Sequence, residues 1–209
     1  RKNWAYRQDQ LSTTHPIATE MKDLEDVKTN FDGISYAKGA SVLQQLVEHV
    51  GRENFIKGLR IYFTKHAFKN TTLNDLMVEL EATSGRDLKP WAATWLQTAG
   101  VNTLRPEIQI EAGTYKKLAI KQEAPTMPVG SKELRPHRLR VALFDIAGDS
   151  LVKRKSVALD IAGALTDVSE LHGEKEADLV LINDGDLSYA KLRFDDRSIA
   201  TLKSHLGGL

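Results

Sequence analysis

Two hydrophobic periods follow one another along the chain. From about residue 36 to residue 99 the apolar positions repeat at helical spacing. Val42, Leu43, Leu46, Val47 and Val50 recur at i, i+3/i+4 and i+7/i+8, which puts them on one helix face. Gly51 follows where a C′ residue belongs. Phe55, Ile56, Leu59, Tyr62 and Phe63 form a second stripe. Thr72 precedes Leu73, Leu76, Met77 and Leu80 as an N-cap, with Asp75 in the place of the usual capping-box Glu, and Gly85 ends that helix. Leu88, Trp91, Ala92, Trp95, Leu96 and Ala99 form a fourth stripe, closed by Gly100. Four helices with one apolar face each must pack on one another.

After Gly100 the period becomes two. Ile108 and Ile110 alternate with Glu107, Gln109 and Glu111. Leu118 and Ile120 alternate with Lys117, Ala119 and Lys121, and Leu139, Val141 and Leu143 with Arg138, Arg140 and Ala142. Val157, Leu159 and Ile161 follow, then the short apolar run Leu179 to Ile182 and a last strand from Tyr189 to Phe194. Six or seven short strands at this spacing predict an antiparallel β-sandwich. Ile199, Leu202 and Leu206 open a further helix. In the first 35 residues, Trp4 to Gln10 read as a helix broken before His15-Pro16, and Glu20 to Asp32 as an acidic, loop-like stretch. The expected class is therefore α+β, in two domains that meet near Gly100.

Composition narrows the function classes. A length of 209 residues spans one to two domains. Lys and Arg number 29 and Asp and Glu 28, so the formal charge is +1, without the basic excess of a dedicated nucleic-acid binder. Residues 101–155 are basic and residues 156–209 acidic, but sparse aromatics leave these charges as the outward faces of half-buried strands. No apolar run approaches the roughly 18 residues of a membrane helix. Cysteine is absent, which excludes disulfides and cysteine zinc sites. The expectation is a soluble, cytoplasmic protein with no nucleic-acid or membrane partner. The chain begins Arg1-Lys2-Asn3-Trp4 and ends Gly207-Gly208-Leu209, and the expectation is a piece of something longer.

No complete catalytic site can be read from the residues alone. HExxH is missing; Val47-Glu48-His49-Val50 lacks the second His. Neither a phosphate loop nor GxSxG occurs. His49 and Glu53 stand four apart, but Gly51 lies between them, and a solvated helix end is the simpler reading. The informative stretch is Asn30-Phe31-Asp32-Gly33-Ile34-Ser35-Tyr36-Ala37-Lys38-Gly39. Tyr36 falls at a helix start, where a phenol facing a cleft is placed to donate to an oxyanion. Gly39 costs about 1 kcal/mol relative to Ala within a helix, which points to a close approach by another backbone or a ligand.

Phe31-Asp-Gly-Ile-Ser-Tyr36-Ala-Lys-Gly-Ala-Ser-Val-Leu43 resembles the catalytic-tyrosine segment of the aminopeptidase N family of zinc metallopeptidases. His15-Pro16-Ile17 precedes it at the expected distance. Gly51 to Phe55, then Gly58-Leu59 and Tyr62-Phe63, are similar to the family's next helix pair. Trp91-Ala-Ala-Thr-Trp95-Leu96 resembles the end of its catalytic domain. Asn183-Asp184, Tyr189-Ala-Lys191-Leu192 and Asp195 resemble the end of its β-sandwich. The resemblance implies that residues 1–100 are the helical C-terminal part of a thermolysin-like catalytic domain, 101–195 a β-sandwich domain and 196–209 the start of a helical C-terminal domain. It implies a parent that removes N-terminal residues from peptides with Zn2+ as cofactor, its ligands lying outside this chain, so that this chain has no metal residues and is inactive alone. Its peptide substrates are met through the full-length enzyme, in which the chain packs against the missing catalytic and C-terminal domains. Tyr36 is the one catalytic residue carried over, as donor to the oxyanion. The resemblance assigns no chemical role to His15, Lys38 or Trp91, and anchoring and packing are the expectation for them. The alternative is a non-catalytic scaffold or partner-binding module of the same fold.

Overall fold

The computed structural model describes residues 2–19 and 21–208; Arg1, Glu20 and Leu209 lie outside it. Helix α1 (Lys2–Gln8) is followed by a short α2 (Leu24–Thr29), inside the stretch expected to be loop. Asp23 makes α2: its carboxylate accepts from the N–H groups of Glu25 and Asp26, both at 2.9 Å. A π-helical turn (Ile34–Lys38) then runs into α3 (Gly39–Val50), and α4 (Arg52–Lys65), α5 (Leu73–Ser84) and α6 (Lys89–Leu96) follow. These four helices match the four stripes. Gly51 and Gly85 end α3 and α5 at φ of 84° and 69°. The Asp75 carboxylate accepts from the Thr72 N–H at 2.7 Å and from its hydroxyl at 2.9 Å.

Seven strands make two sheets. β1 (Thr103–Glu111), β2 (Thr114–Glu123), β5 (Leu165–Asp167) and β7 (Lys191–Leu192) form one, in the order β5-β2-β1-β7. β3 (His137–Ala147), β4 (Ser150–Ile161) and β6 (Leu179–Ile182) form the other, in the order β4-β3-β6. The pairing is antiparallel except at β7, which lies parallel to β1 over two residues, and the strand expected from Tyr189 to Phe194 shrinks to that pair. Leu104, Leu118 and Ile120 of one sheet share a core with Leu139, Val141, Leu143 and Ile182 of the other. The opposite face of β3 is apolar too: Ala142 and Phe144 pack with Leu151 and Leu179 under Leu202 of α7 (Asp196–His205). The α+β expectation holds and both periods give the right elements, but α4 buries only Gly58, and Ile56 and Phe63 of its stripe stand exposed. Most basic side chains here are paired, for example Lys153 with Asp184 at 2.7 Å and Arg154 with Asp145 at 3.1 Å.

A third apolar cluster joins Val42 and Leu46 of α3, Leu80 of α5 and Trp91 and Trp95 of α6 with Val101 and Tyr189. It reaches the sheets through α3, where the Gln45 side-chain amide both donates to the Arg138 carbonyl and accepts from its N–H. Gly100 lies at this seam with φ of 89°, and a Cβ there would fall 2.0 Å from the Met127 carbonyl oxygen. Only glycine fits that crossing.

Candidate active site around Tyr36

The π-helical turn decides where Tyr36 points. The Gly39 N–H reaches back five residues to the Ile34 carbonyl, which widens the turn by one residue ahead of the regular α3. Asp32 starts it. Asp32 Oδ1 accepts from the N–H groups of Ile34 and Ser35, both at 2.9 Å, and its carbonyl accepts from the Tyr36 N–H at 3.1 Å. Asp32 Oδ2 lies 3.0 Å from His15 Nε2, and His15 Nδ1 lies 2.8 Å from the Pro16 carbonyl. From the other side, the Gly33 N–H donates to Gln8 Oε1 at 2.6 Å. A Cβ on Gly33 would meet that oxygen at 2.5 Å and the Trp4 ring at 2.9 Å. Gly33, not Gly39, is therefore the close-approach glycine: a Cβ on Gly39 finds its nearest neighbours at 4.0 Å, an ordinary contact.

The Tyr36 side chain is 50% exposed, with its ring centroid 4.6 Å from that of Phe31. It borders two openings. One is a cleft of about 970 Å³ edged by Trp4, Phe31, Gln44 and Asp186. The other, about 410 Å³, is walled by Ile17, Leu43, Leu73, Met77 and Trp91. The backbone at Tyr36 is fixed and its phenol is open to the cleft.

Lys38, two residues on, points the other way. It is fully buried, its ammonium 2.9 Å from Asp9 Oδ2 and 3.2 Å from the Gly100 carbonyl, and 5.6 Å from the Tyr189 ring centroid. The contact with Asp9 is an ion pair rather than a directed hydrogen bond. Asp9 Oδ1 serves the Gly100 N–H at 2.8 Å and the Thr14 hydroxyl at 2.6 Å. Burial lowers the Lys38 pKa to about 8, opposed in part by the Asp9 charge. Arg135, equally buried, donates to Asn102 Oδ1, to the Thr98 carbonyl and hydroxyl, and to the Ala99 carbonyl. His137 stands between the Ser188 hydroxyl at 2.6 Å and Gln122 Oε1 at 2.9 Å. Burial, with the Arg135 charge, lowers its pKa to about 3. Lys38 and Arg135 fasten the seam where helices meet sheets, His137 links β3 to β2, and all three are buried.

The remaining candidates find structural places. Trp91 is buried, 6.2 Å from Trp95 and 6.0 Å from His49 by ring centroids. His49 accepts from Arg86 at 3.2 Å; partial burial, then the Arg86 charge, lower its pKa to about 4. Glu53 is exposed. Tyr115, Phe144 and Tyr189 are buried. Among the described residues no three His, Asp or Glu side chains stand together as metal ligands, so these residues do not fit a zinc site. No helix among them is long and apolar enough to cross a membrane. The pattern of residues gave no sign of Gln8, Asp9 or Arg135, whose partners lie far along the chain. Asp32 had a local signal, an Asp just ahead of a helix start.

The family model described as "Peptidase family M1 domain" matches residues 2–121, and the chain belongs to that family, the aminopeptidase N family of metallopeptidases. It is 54% identical to an aminopeptidase N of Streptomyces lividans over 99% of this chain and 25% of the relative. It is 28% identical to an aminopeptidase M1 of Arabidopsis thaliana over 95% of this chain and 23% of the relative. A leucyl aminopeptidase of Saccharolobus solfataricus is 34% identical over 57% of this chain and 14% of the relative. The chain thus spans a quarter or less of these relatives' lengths.

Proposed function

We propose that this chain is part of a zinc aminopeptidase that removes N-terminal residues from peptides, and that Tyr36 donates a hydrogen bond to the oxyanion formed at the scissile carbonyl. One observation carries this reading: the Tyr36 phenol is open beside a cleft while its backbone is held from both sides. Family membership and the names of the relatives support the peptidase class. The zinc ligands lie in the part of the parent outside this chain, and the chain alone is inactive. Residues 1–100 belong to the catalytic domain, 101–195 form a β-sandwich domain, and 196–209 open the next helical domain. The resemblance to bacterial members carries a cytoplasmic location into the same reading.

The test is Tyr36→Phe in the full-length enzyme. Loss of one oxyanion donor lowers kcat by about 10²–10³, and zinc content measured by atomic absorption stays at the wild-type level. Unchanged kcat would remove Tyr36 from the chemistry. Hydrolysis of an aminoacyl-coumarin by the isolated chain after zinc loading would overturn its inactivity.

A further inference from the structure

We infer that Asp32, backed by His15, is the positioning residue for Tyr36: it caps the first turn of the helix that presents the phenol. This inference rests on the oxyanion reading of Tyr36 and says what holds that donor in place.

The geometry is specific. A single carboxylate serves three groups, the N–H groups of Ile34 and Ser35 at Oδ1 and the His15 ring at Oδ2. The same residue's carbonyl takes the Tyr36 N–H. Asp32 thus fixes the backbone of residues 34, 35 and 36 together. His15 is itself held at the Pro16 carbonyl through its second nitrogen, and both side chains are mostly buried, with 22% and 16% of the side-chain surface left for His15 and Asp32. Carboxylate bonds to the second and third N–H groups after it are those of a helix N-cap, and they fix where the turn carrying Tyr36 begins. With the cap lost, the N–H groups of Ile34 and Ser35 have no partner, the first turn loosens, and Tyr36 moves from its place at the cleft. Neither side chain is needed to touch substrate. Each acts through the direction of the phenol, and for a positioned group a displacement near 1 Å already costs about 10²-fold.

The experiment is a mutant cycle in the full-length enzyme, with kcat and KM followed separately and thermal unfolding as the control for folding. Asp32→Ala lowers kcat by about 10–10²-fold with KM nearly unchanged. The same substitution placed on Tyr36→Phe lowers kcat no further, because the group it aims is already gone. Asp32→Asn keeps an oxygen at the Oδ1 position and recovers most of the activity. Where Asp32→Ala unfolds the enzyme, His15→Ala carries the test, with a smaller loss that also vanishes in the Tyr36→Phe background. Losses that multiply with Tyr36→Phe, or a wild-type kcat in Asp32→Ala, overturn the positioning role and leave the oxyanion reading standing. Full activity in Tyr36→Phe overturns the oxyanion reading, and this inference with it.

Discussion

At the scale of single residues, burial separates groups that look alike in the sequence. Six histidines are scattered along the chain, and their spacing distinguishes none of them. The structure makes His137 a neutral link between Ser188 and Gln122, with a pKa near 3, whereas His15 braces the turn of Tyr36. The sign of the linkage follows. In the unfolded chain His137 takes up its proton near pH 6.5; in the folded chain it does so only near pH 3. Between these values the unfolded state binds more protons, so stability falls as pH drops, by up to about 1.4 kcal/mol per pH unit from this group. Urea unfolding at pH 6.5 and 4.5 checks it: His137→Gln has the shallower pH dependence of the two proteins, whatever its stability at neutral pH. Lys38 is a comparable case. Nothing adjacent in the sequence marks it as buried, because its partner Asp9 and its acceptor Gly100 lie 29 residues before it and 62 after it.

At the scale of elements, α4 and α5 meet where α4 has a glycine. A Cβ on Gly58 would come 2.8 Å from Leu80 Cδ2, 3.0 Å from Thr83 Oγ1 and 3.2 Å from the Glu79 carbonyl oxygen. Leu80 is fully buried and has nowhere to move. Helix propensity favours Gly58→Ala by about 1 kcal/mol, while overpacking at such a contact costs about 1–3 kcal/mol. The contact wins, and Gly58→Ala lowers the midpoint of thermal unfolding. The helices of this region were legible because each has one apolar stripe and a terminal signal, such as Thr72 with Asp75 or the glycines at 51 and 85. Helix α2 was also within reach, since Asp23 before Glu25 and Asp26 is a regular N-terminal pattern that the surrounding acidity disguised. The π-helical turn was not, because its bond from the Gly39 N–H to the Ile34 carbonyl leaves no mark in the spacing of apolar residues. The parallel pairing of β7 with β1 was hidden for a similar reason: two residues carry no period, and the partner lies almost ninety residues away.

At the scale of the whole molecule, helices and sheets are joined by buried polar groups as well as by an apolar seam. Arg135 reaches from the loop before β3 to the carbonyls of Thr98 and Ala99 and to Asn102, beside Trp95 at 5.7 Å. Arg135→Met keeps much of the volume and leaves those buried acceptors without a donor, at a cost of at least about 2 kcal/mol. Amide exchange localises the effect: residues 98–102 lose protection first, while the centres of β3 and β4 keep theirs. Unchanged exchange at 98–102 would mean the seam is held by packing alone. The two periods in the sequence showed where the helical and strand regions meet, and the glycine at residue 100 marked it. They were silent on what fastens the regions together, since a polar side chain in a period-two pattern reads as outward-facing whether it meets water or a buried carbonyl.

Helix α1 lies against the loop that leads into β7. Lys2 bonds to the Asp186 side chain and to the carbonyls of Asp186 and Ser188, and Tyr6 donates to the Ala190 carbonyl, contacts across 184 to 186 residues of sequence. The same helix supplies Gln8 and Trp4 to the glycine ahead of Tyr36. A ribosome releases this helix long before the loop that clasps it, and closing so long a span delays such contacts in folding. The turn that carries Tyr36 therefore gains its full support only after residue 190 has left the exit tunnel. Maturation of the site waits on residues 186–190, although Tyr36 lies far ahead of them in sequence.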